Sequence, residues 1–540
     1  MIMKRILRPL FLLAFTSIIL YSCGSTALVS TPIANIDNTP TKFNDLTEAE
    51  EKVWGHLDLV KDTIPGMSIQ KAYDEIIKNR KGKTVIVAVI DAGIDTKHED
   101  LNDVIWVNKK EVPNNGKDDD NNGFVDDIHG WNFLGDSYDE QFEYVRLLVS
   151  GDTKNPRYNE AQEEYNKESQ KYGTMKVQYE AILKQVTESH NAMAKHLNKE
   201  DYTKEEVHGI KTDDQTLMRD VSVIKQTYGF GIGSIIETIE ALNKDLNAVI
   251  KPHTNIYLNK ELKGRKTGDD PNNFSQTGYG NGNVNPALKD ESHGTHVAGI
   301  IAAERDNGIG MNGVANNVQI MSLRVVPNGD EYDKDVALAI RYAVDNGAKV
   351  INASFGKYYS PHDDKVEKAL AYASQKDVLF IHGAGNESLN LDKKENFPND
   401  NDDEGNEFID TFLSVGATTQ KYGADIIASY SNYGKQNVDV FAPGSNIYST
   451  YPESEYSPQN GTSMAAPAVT GIAALIRSYY PKLSAAQVKQ IIIDSGLPLK
   501  AKVIVPGGST QAKPFADLSK SGKLVNAYNA LILANTVSKN

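Results

Sequence analysis

The chain of 540 residues contains one cysteine, Cys23. It can form no internal disulfide and no cysteine-based zinc cluster, so its stability must come from burial, which a chain of this length can supply. It has no excess of positive charge. Its 57 Lys and Arg stand against 72 Asp and Glu, a formal charge of −15, which argues against the nucleic-acid backbone as a main partner. It also lacks an apolar N-terminal run long enough to cross a bilayer. Residues 9–20 give 12 apolar-rich positions, where a spanning helix needs about 20. Hydrophobic residues make up 40% and charged residues 24%, which fits neither a disordered chain nor a multi-span membrane protein. Length alone allows about three or four domains.

The short apolar run follows Lys4, Arg5 and Arg8, so residues 1–22 read as a signal peptide. The segment Leu20-Tyr21-Ser22-Cys23-Gly24 resembles a bacterial lipobox, in which the thiol is acylated and becomes the new N-terminus. Tyr21 is bulkier than the usual residue there. The expectation is an exported lipoprotein of the bacterial envelope, lipidated at Cys23 and anchored to the membrane, in the periplasm or on the outer-membrane surface. Residues 23–53 are expected to be a flexible tether, because 24–44 are rich in Ser, Thr, Pro and Asn.

Short β-branched runs then recur. Residues 84–90 read Thr-Val-Ile-Val-Ala-Val-Ile, as in a strand buried on both faces of a parallel sheet. Similar runs lie at 318–323, 349–353, 378–382, 412–417 and 438–442. Helical patterns separate several of them, notably 333–346, with Val336, Ile340, Ala343 and Val344 on one face, and 364–374. This alternation predicts an α/β fold, a doubly wound and mostly parallel sheet with helices on both faces. Ser484-Ala-Ala-Gln487 fits a capping box ahead of a further helix. Residues 134–289 break the pattern. Tyr165, Tyr172, Met175, Tyr179, Ile182, Val186 and Met193 fall at spacings of 3, 4 and 7, and a second helical stretch covers about 213–250 beyond them. The expectation is a large helical insertion, a hairpin near the substrate cleft. An amphipathic stripe of this kind most often packs on its own protein as a lid or spacer, the other role being a partner-binding arm.

Three segments carry chemistry. In Val89-Ile90-Asp91-Ala-Gly-Ile-Asp95 an Asp closes a buried strand, and the C-terminal ends of parallel strands are where α/β sheets place their sites. The others are His293-Gly-Thr-His296-Val-Ala-Gly299 and Asn460-Gly-Thr-Ser463-Met464-Ala-Ala-Pro467. The last is expected to open a helix over 468–479 with its Pro in the first turn. A serine hydroxyl needs an imidazole to take its proton and a carboxylate to hold the imidazole's tautomer. A nucleophile at a helix N-terminus also faces backbone N–H groups. The order Asp91, His293, Ser463 is that of subtilisin.

On these residues the chain resembles the subtilisin-like serine peptidases, the subtilases. Gly383-Ala-Gly385-Asn386-Glu387 and Asn352-Ala-Ser354-Phe355-Gly356 match two further motifs of that family. The resemblance implies a subtilisin-like fold over residues 54–133 and 290–535, interrupted by the insertion at 134–289. It implies a catalytic triad of Asp91, His293 and Ser463, with Asn386 and the Ser463 N–H as the oxyanion hole. It places Ser354, Phe355, Gly356, Gly383 and Gly385 along the substrate. Phe355 and the small Gly383–Gly385 wall suggest an open pocket for apolar or aromatic side chains, with Glu387 at a rim that also admits a basic one. His296 is expected to be a core residue, and Met464 an exposed oxidation risk. Secreted subtilases usually carry a folded pro-domain, for which the 30 residues between Cys23 and Trp54 are too few.

Asp118-Asp-Asp120-Asn-Asn122-Gly123-Phe124-Val-Asp126 follows the first part of an EF-hand loop, with side-chain oxygens at Asp118, Asp120, Asn122 and Asp126 and the carbonyl of Phe124. His129 stands where the closing Glu would be. The expectation is structural Ca²⁺, with a second calcium held, on the family resemblance, by Asp100 and by Asp306 or Asn307, and no organic cofactor. Two functions remain open. One is a serine endopeptidase acting on protein or peptide substrates. The other is a surface lipoprotein that binds peptides or a partner through the insertion with little or no catalysis. The intact set Asp91, His293, Ser463 and Asn386 favours the first.

Overall fold

In the computed structural model, residues 30–539 are described, apart from 41, 43, 403, 404 and 509. The signal peptide and Cys23 therefore lie outside the described residues. The apolar runs form strands β1 (Val85–Asp91), β2 (Gly130–Asn132), β3 (Val318–Arg324), β4 (Val350–Ala353), β5 (Leu379–Gly383), β6 (Phe412–Thr418) and β7 (Val440–Pro443). All pair in parallel, in the order β7-β6-β5-β4-β1-β3-β2. The short strand Lys523–Leu524 extends the sheet beyond β7. An antiparallel hairpin, β8 (Ile447–Tyr451) and β9 (Glu455–Gln459), stands apart from the sheet.

Alternate side chains of β1 feed two cores. Val87 and Val89 pack with the helices His293–Ala302, Thr462–Tyr479, Ala485–Ser495 and Ala527–Val537. Ala88 and Ile90 pack with Asp333–Asp345 and Asp363–Gln375. Each buried Val or Ile contributes about 1.5–3 kcal/mol. The doubly wound architecture agrees with the expectation, and the predicted capping box is present, with Ser484 and Gln487 satisfying each other's backbone N–H groups.

Residues 30–53 are not a free tether. Ile36 is 1% exposed in a cluster with Leu59 and Phe441, and Ile33 N donates to Asn529 Oδ1 at 2.8 Å. A capping box at Thr47 opens the helix Glu48–Val53. The polar composition concealed a few apolar anchors, enough to dock the segment.

In the insertion, helices run from Glu143 to Tyr257, and the longest, Tyr158–Leu197, has 40 residues, about 60 Å. The predicted stripe is divided between two small cores. Tyr165 and Tyr172 lie against a basal cluster with Tyr144, Leu148, Leu258 and Tyr359, whereas Val186 and Met193 join a distal cluster with Val221, Ile224 and Tyr228. Ile182, between them, is 46% exposed. After the helices the chain returns to the α/β body, where Tyr279 is buried against Phe133.

Candidate active site

Strand β1 delivers Asp91 to the C-terminal edge of the sheet with its side chain buried. Its Oδ1 accepts the N–H of Ala92 at 2.8 Å and faces Nδ1 of His293 at 2.7 Å. An ionised carboxylate only accepts, so Nδ1 carries the proton. His293 opens the helix His293–Ala302, and Gly294 lets that helix lie against the end of β1, since a Cβ there would come within 2.3 Å of Gly93 O. Burial pulls the His293 pKa down, but the charge of Asp91 and its hydrogen bond more than offset this and raise it. His296 is fully buried, as expected, with Nε2 donating to Ser457 O at 3.0 Å. Burial lowers its pKa to about 3, so it stays neutral.

The serine helix begins at Thr462, not at 468, and Pro467 lies inside it. A proline donates no N–H to the carbonyl four residues back, here that of Ser463. That carbonyl instead accepts the hydroxyl of Ser354 at 2.9 Å, while Ser463 Oγ donates to Ser354 O at 3.0 Å. Asn386 is held by its amide oxygen, which accepts Thr462 N at 2.8 Å and Thr462 Oγ1 at 3.1 Å. Its Nδ2 is thereby left toward the cleft. A Cβ on Gly461 would sit 3.5 Å from Ser463 N and 3.6 Å from Asn386 Nδ2, so the glycine keeps open the space those two donors share. Met464 is not exposed. It is 1% accessible and faces the main core, because the helix turns it inward beside Ala465.

Asp91, His293, Ser354, Asn386, Thr462 and Ser463 border one cleft of about 300 Å³. Ser354, Phe355 and Gly356 form one wall, Gly383 and Gly385 the floor, and residues 326–329 with Glu331 the facing wall. Tyr358 and Asn396 also line it and were not singled out from the sequence. The rim carboxylate Glu387 is bonded to the Tyr358 hydroxyl, and it accepts Asn432 Nδ2 at 3.1 Å and its neighbour's N–H at 2.8 Å. The pocket is therefore more filled and more polar than Phe355 and the glycines alone suggested.

Residues 82–516 match the family described as the Subtilase family. The chain belongs to the subtilases. The cell wall-associated protease of Bacillus subtilis is 38% identical over 252 residues, 46% of this chain and 25% of that protein. A thermophilic serine proteinase of a Bacillus species is 41% identical over 189 residues, 35% of this chain and 43% of that protein. Thermitase of Thermoactinomyces vulgaris is 40% identical over 187 residues, 34% of this chain and 61% of that protein. The chain thus spans less than two thirds of the length of each of these three relatives.

In this subtilase the insertion is rooted on both walls of the cleft. On the facing wall, Asn328 N donates to Tyr138 O and Glu140 N to Asn328 O, each at 2.7 Å, and Arg146 donates to the carbonyls of Asp330 (2.7 Å) and Glu331 (3.0 Å). On the Ser354 wall, Lys357 pairs with Glu143 at 2.6 Å and with Asp333 at 2.8 Å, and its Nζ also donates to Glu331 O at 2.8 Å. Arg157 donates to Tyr358 O at 2.6 Å, and Tyr359 to Glu164 at 2.9 Å. Burial works to raise the Glu143 pKa, but Arg146 and Lys357 outweigh it and hold it at about 2. Glu331 lacks such support. Burial, reinforced by Asp330 and only partly relieved by Lys357, pushes it up to about 8.

The EF-hand-like loop of the subtilase folds differently from its sequence register. Asp118 and Asp120 do converge, but with Glu111, their ligand oxygens lying within 4.8 Å of one another. Glu111 is 6% exposed. Its Oε1 accepts the N–H groups of Asp119 and Asp120, and its buried Oε2 has no partner among the described residues. Asp126 turns aside to accept the N–H groups of Asn115 and Gly116 at 3.1 and 2.9 Å. The Asn122 oxygen accepts Phe124 N at 2.8 Å, and the Phe124 ring packs on Trp131 and Tyr342. Asp100 and Asn307 do meet, with Asn307 Nδ2 donating to the buried Asp100 at 2.7 Å.

Proposed function

We propose that the protein is a serine endopeptidase that hydrolyses peptide bonds through an acyl-enzyme. The observation that carries this is the arrangement of the Asp91–His293 pair, Ser463 and Asn386 around one cleft in a subtilase. Ser463 Oγ attacks the scissile carbonyl after turning from Ser354 O toward His293 Nε2. His293 takes the proton and returns it to the leaving amine, while Asp91 holds its tautomer and offsets the positive charge that develops. Asn386 Nδ2 and Ser463 N–H hold the oxyanion in the space beside Gly461. Water admitted to the cleft then hydrolyses the ester, with His293 as base.

Asp290 and Glu387 line the cleft, and among the described residues neither Lys nor Arg does. This lining favours peptides with basic over acidic side chains, and a peptide-library cleavage profile tests that. Glu111, Asp118 and Asp120 would hold a structural calcium, since the unpartnered Glu111 oxygen supplies a hard ligand in a ready-made acidic cluster. Asp100 and Asn307 would serve a second calcium. The insertion acts as an arm that shapes the cleft, because its base bonds to both walls. The protein is exported and tethered through a lipid on Cys23. Incorporation of labelled palmitate that disappears in Cys23→Ala tests the tether.

The decisive experiment is labelling with a fluorophosphonate probe. Wild type reacts at Ser463 and Ser463→Ala does not. A wild type that fails to label, yet binds peptide, would leave the peptide-binding reading in its place.

A further inference from the structure

We propose that Arg324 is a positioning residue for the Asp91–His293 pair, and that it fastens both ends of the helical insertion to that pair, the departing end directly and the returning end through Glu291. The proposal rests on the serine-peptidase reading. Arg324 ends β3, in register with Asp91, and its side chain is 1% exposed. A buried guanidinium must find acceptors for its fixed fork of donors. Here they come from three chain segments. Nε donates to the carbonyl of Ala92, the residue after Asp91, at 3.0 Å. Nη1 reaches Asn132 Oδ1 and the carbonyls of Gly135 and Ser137, all at 3.3 Å, where the insertion departs. Nη2 donates to Glu291 Oε1 at 2.6 Å, where the insertion returns.

Glu291 is itself 3% exposed and lies two residues before His293. Its other oxygen accepts the N–H groups of Ala287 at 2.6 Å and Leu288 at 3.3 Å. Its carboxylate therefore ties the last turn of the insertion to the guanidinium. One planar group thus spans the gap between the backbone that carries Asp91 and the backbone that carries His293. Lysine could neutralise Glu291, but its single nitrogen could not hold the other acceptors in the same plane. The pair is buried between the backbones that carry Asp91 and His293, so its placement beside the dyad calls for a role there.

The consequence is specific. The charged and titratable groups around His293 are Asp91 on β1, Asp290 and Glu291 on the preceding loop, His296 on its own helix, Arg324 on β3, and Glu331, Tyr358 and Glu387 elsewhere in the cleft lining. Asp91 raises the His293 pKa against the pull of burial. If the Asp91–His293 contact loosens, burial gains and the imidazole loses its proton at lower pH. Arg324→Lys keeps the charge, so any such shift reports geometry.

The test is full-length Arg324→Lys assayed on a peptide substrate that wild type cleaves. Expected are a fall in kcat of about 10²-fold, the usual cost of misplacing catalytic groups by an ångström, an unchanged KM, and an acid limb of kcat/KM moved to lower pH. If Arg324→Lys does not fold, the charge-free double variant Glu291→Gln/Arg324→Met leaves no lone buried ion, and it should show the same low kcat and displaced limb. A folded variant with wild-type kcat, or one whose kcat falls while the limb stays in place, overturns the proposal and leaves the peptidase reading intact. A wild type that neither labels with fluorophosphonate nor cleaves peptide overturns the peptidase reading and this inference with it.

Discussion

Lys357→Met is the sharpest perturbation of the insertion's root. The ammonium is 2% exposed and sits between Glu143 and Asp333, 8% and 4% exposed. Removing one partner of a buried ion pair costs about 3–5 kcal/mol, because the other charge is left without compensation. Two carboxylates lose a partner here, but Glu143 keeps Arg146. A fall from the ordinary 4.5 to about 2 for Glu143 corresponds to roughly 3 kcal/mol of support, shared between the two cations. The expected loss is therefore about 4 kcal/mol, a drop in Tm of roughly 4 °C for a chain of this size. Lys357 Nζ also holds the Glu331 carbonyl on the opposite wall, so KM for an extended peptide should rise. The assay is chemical denaturation followed by fluorescence, alongside steady-state cleavage. The reasoning fails if Lys357→Met unfolds within about 1 kcal/mol of wild type.

Three further outcomes are expected. Asn386→Ala should lower kcat by about 10²–10³ with little change in KM, the cost measured for the equivalent loss in subtilisin itself, and equal losses in binding and turnover would refute the oxyanion assignment. Glu331 is raised from 4.5 to about 8, so its neutral form favours the fold, and that support is lost as pH rises from about 4.5 through about 8. Unfolding curves should thus show Glu331→Gln more stable than wild type at alkaline pH with the gap closing toward pH 4.5, whereas a gap independent of pH would count against a buried neutral acid. Chelation should lower the Tm of wild type by more than that of Glu111→Gln, since a ligand at about 100 times its Kd adds about 2.7 kcal/mol. Identical melting with and without chelator would remove the calcium assignment.

The sheet was legible because β1, β3, β4, β5, β6 and β7 are runs of apolar, largely β-branched residues that only a doubly covered strand would tolerate. β2 and Lys523–Leu524, of three and two residues, were not, for they are too short to show a pattern. The residues around the cleft were legible because each sits in a local motif at the end of a strand or the start of a helix. What escaped depends on pairing across the chain. Glu143 and Lys357 lie 214 positions apart, and nothing in either neighbourhood announces a buried charge. Glu111 stood outside the spacing that flagged Asp118 and Asp120, and Asp126 left that spacing to cap a turn. Met464 and the start of the serine helix were misread because Pro467 was taken as a first-turn residue. The helix accommodates it further in, since Ser354 satisfies the carbonyl it leaves free.

That proline has a mechanical consequence. By withholding one N–H it turns a helix backbone into a fastener. The Ser463 carbonyl and hydroxyl are both engaged by Ser354, so the serine helix and the strand-β4 wall are joined by two opposed bonds at a single residue pair. The hydroxyl bond can be released for chemistry while the carbonyl bond stays made. Ser463 can thus swing its nucleophile free without its backbone losing register with the wall along which a peptide would lie.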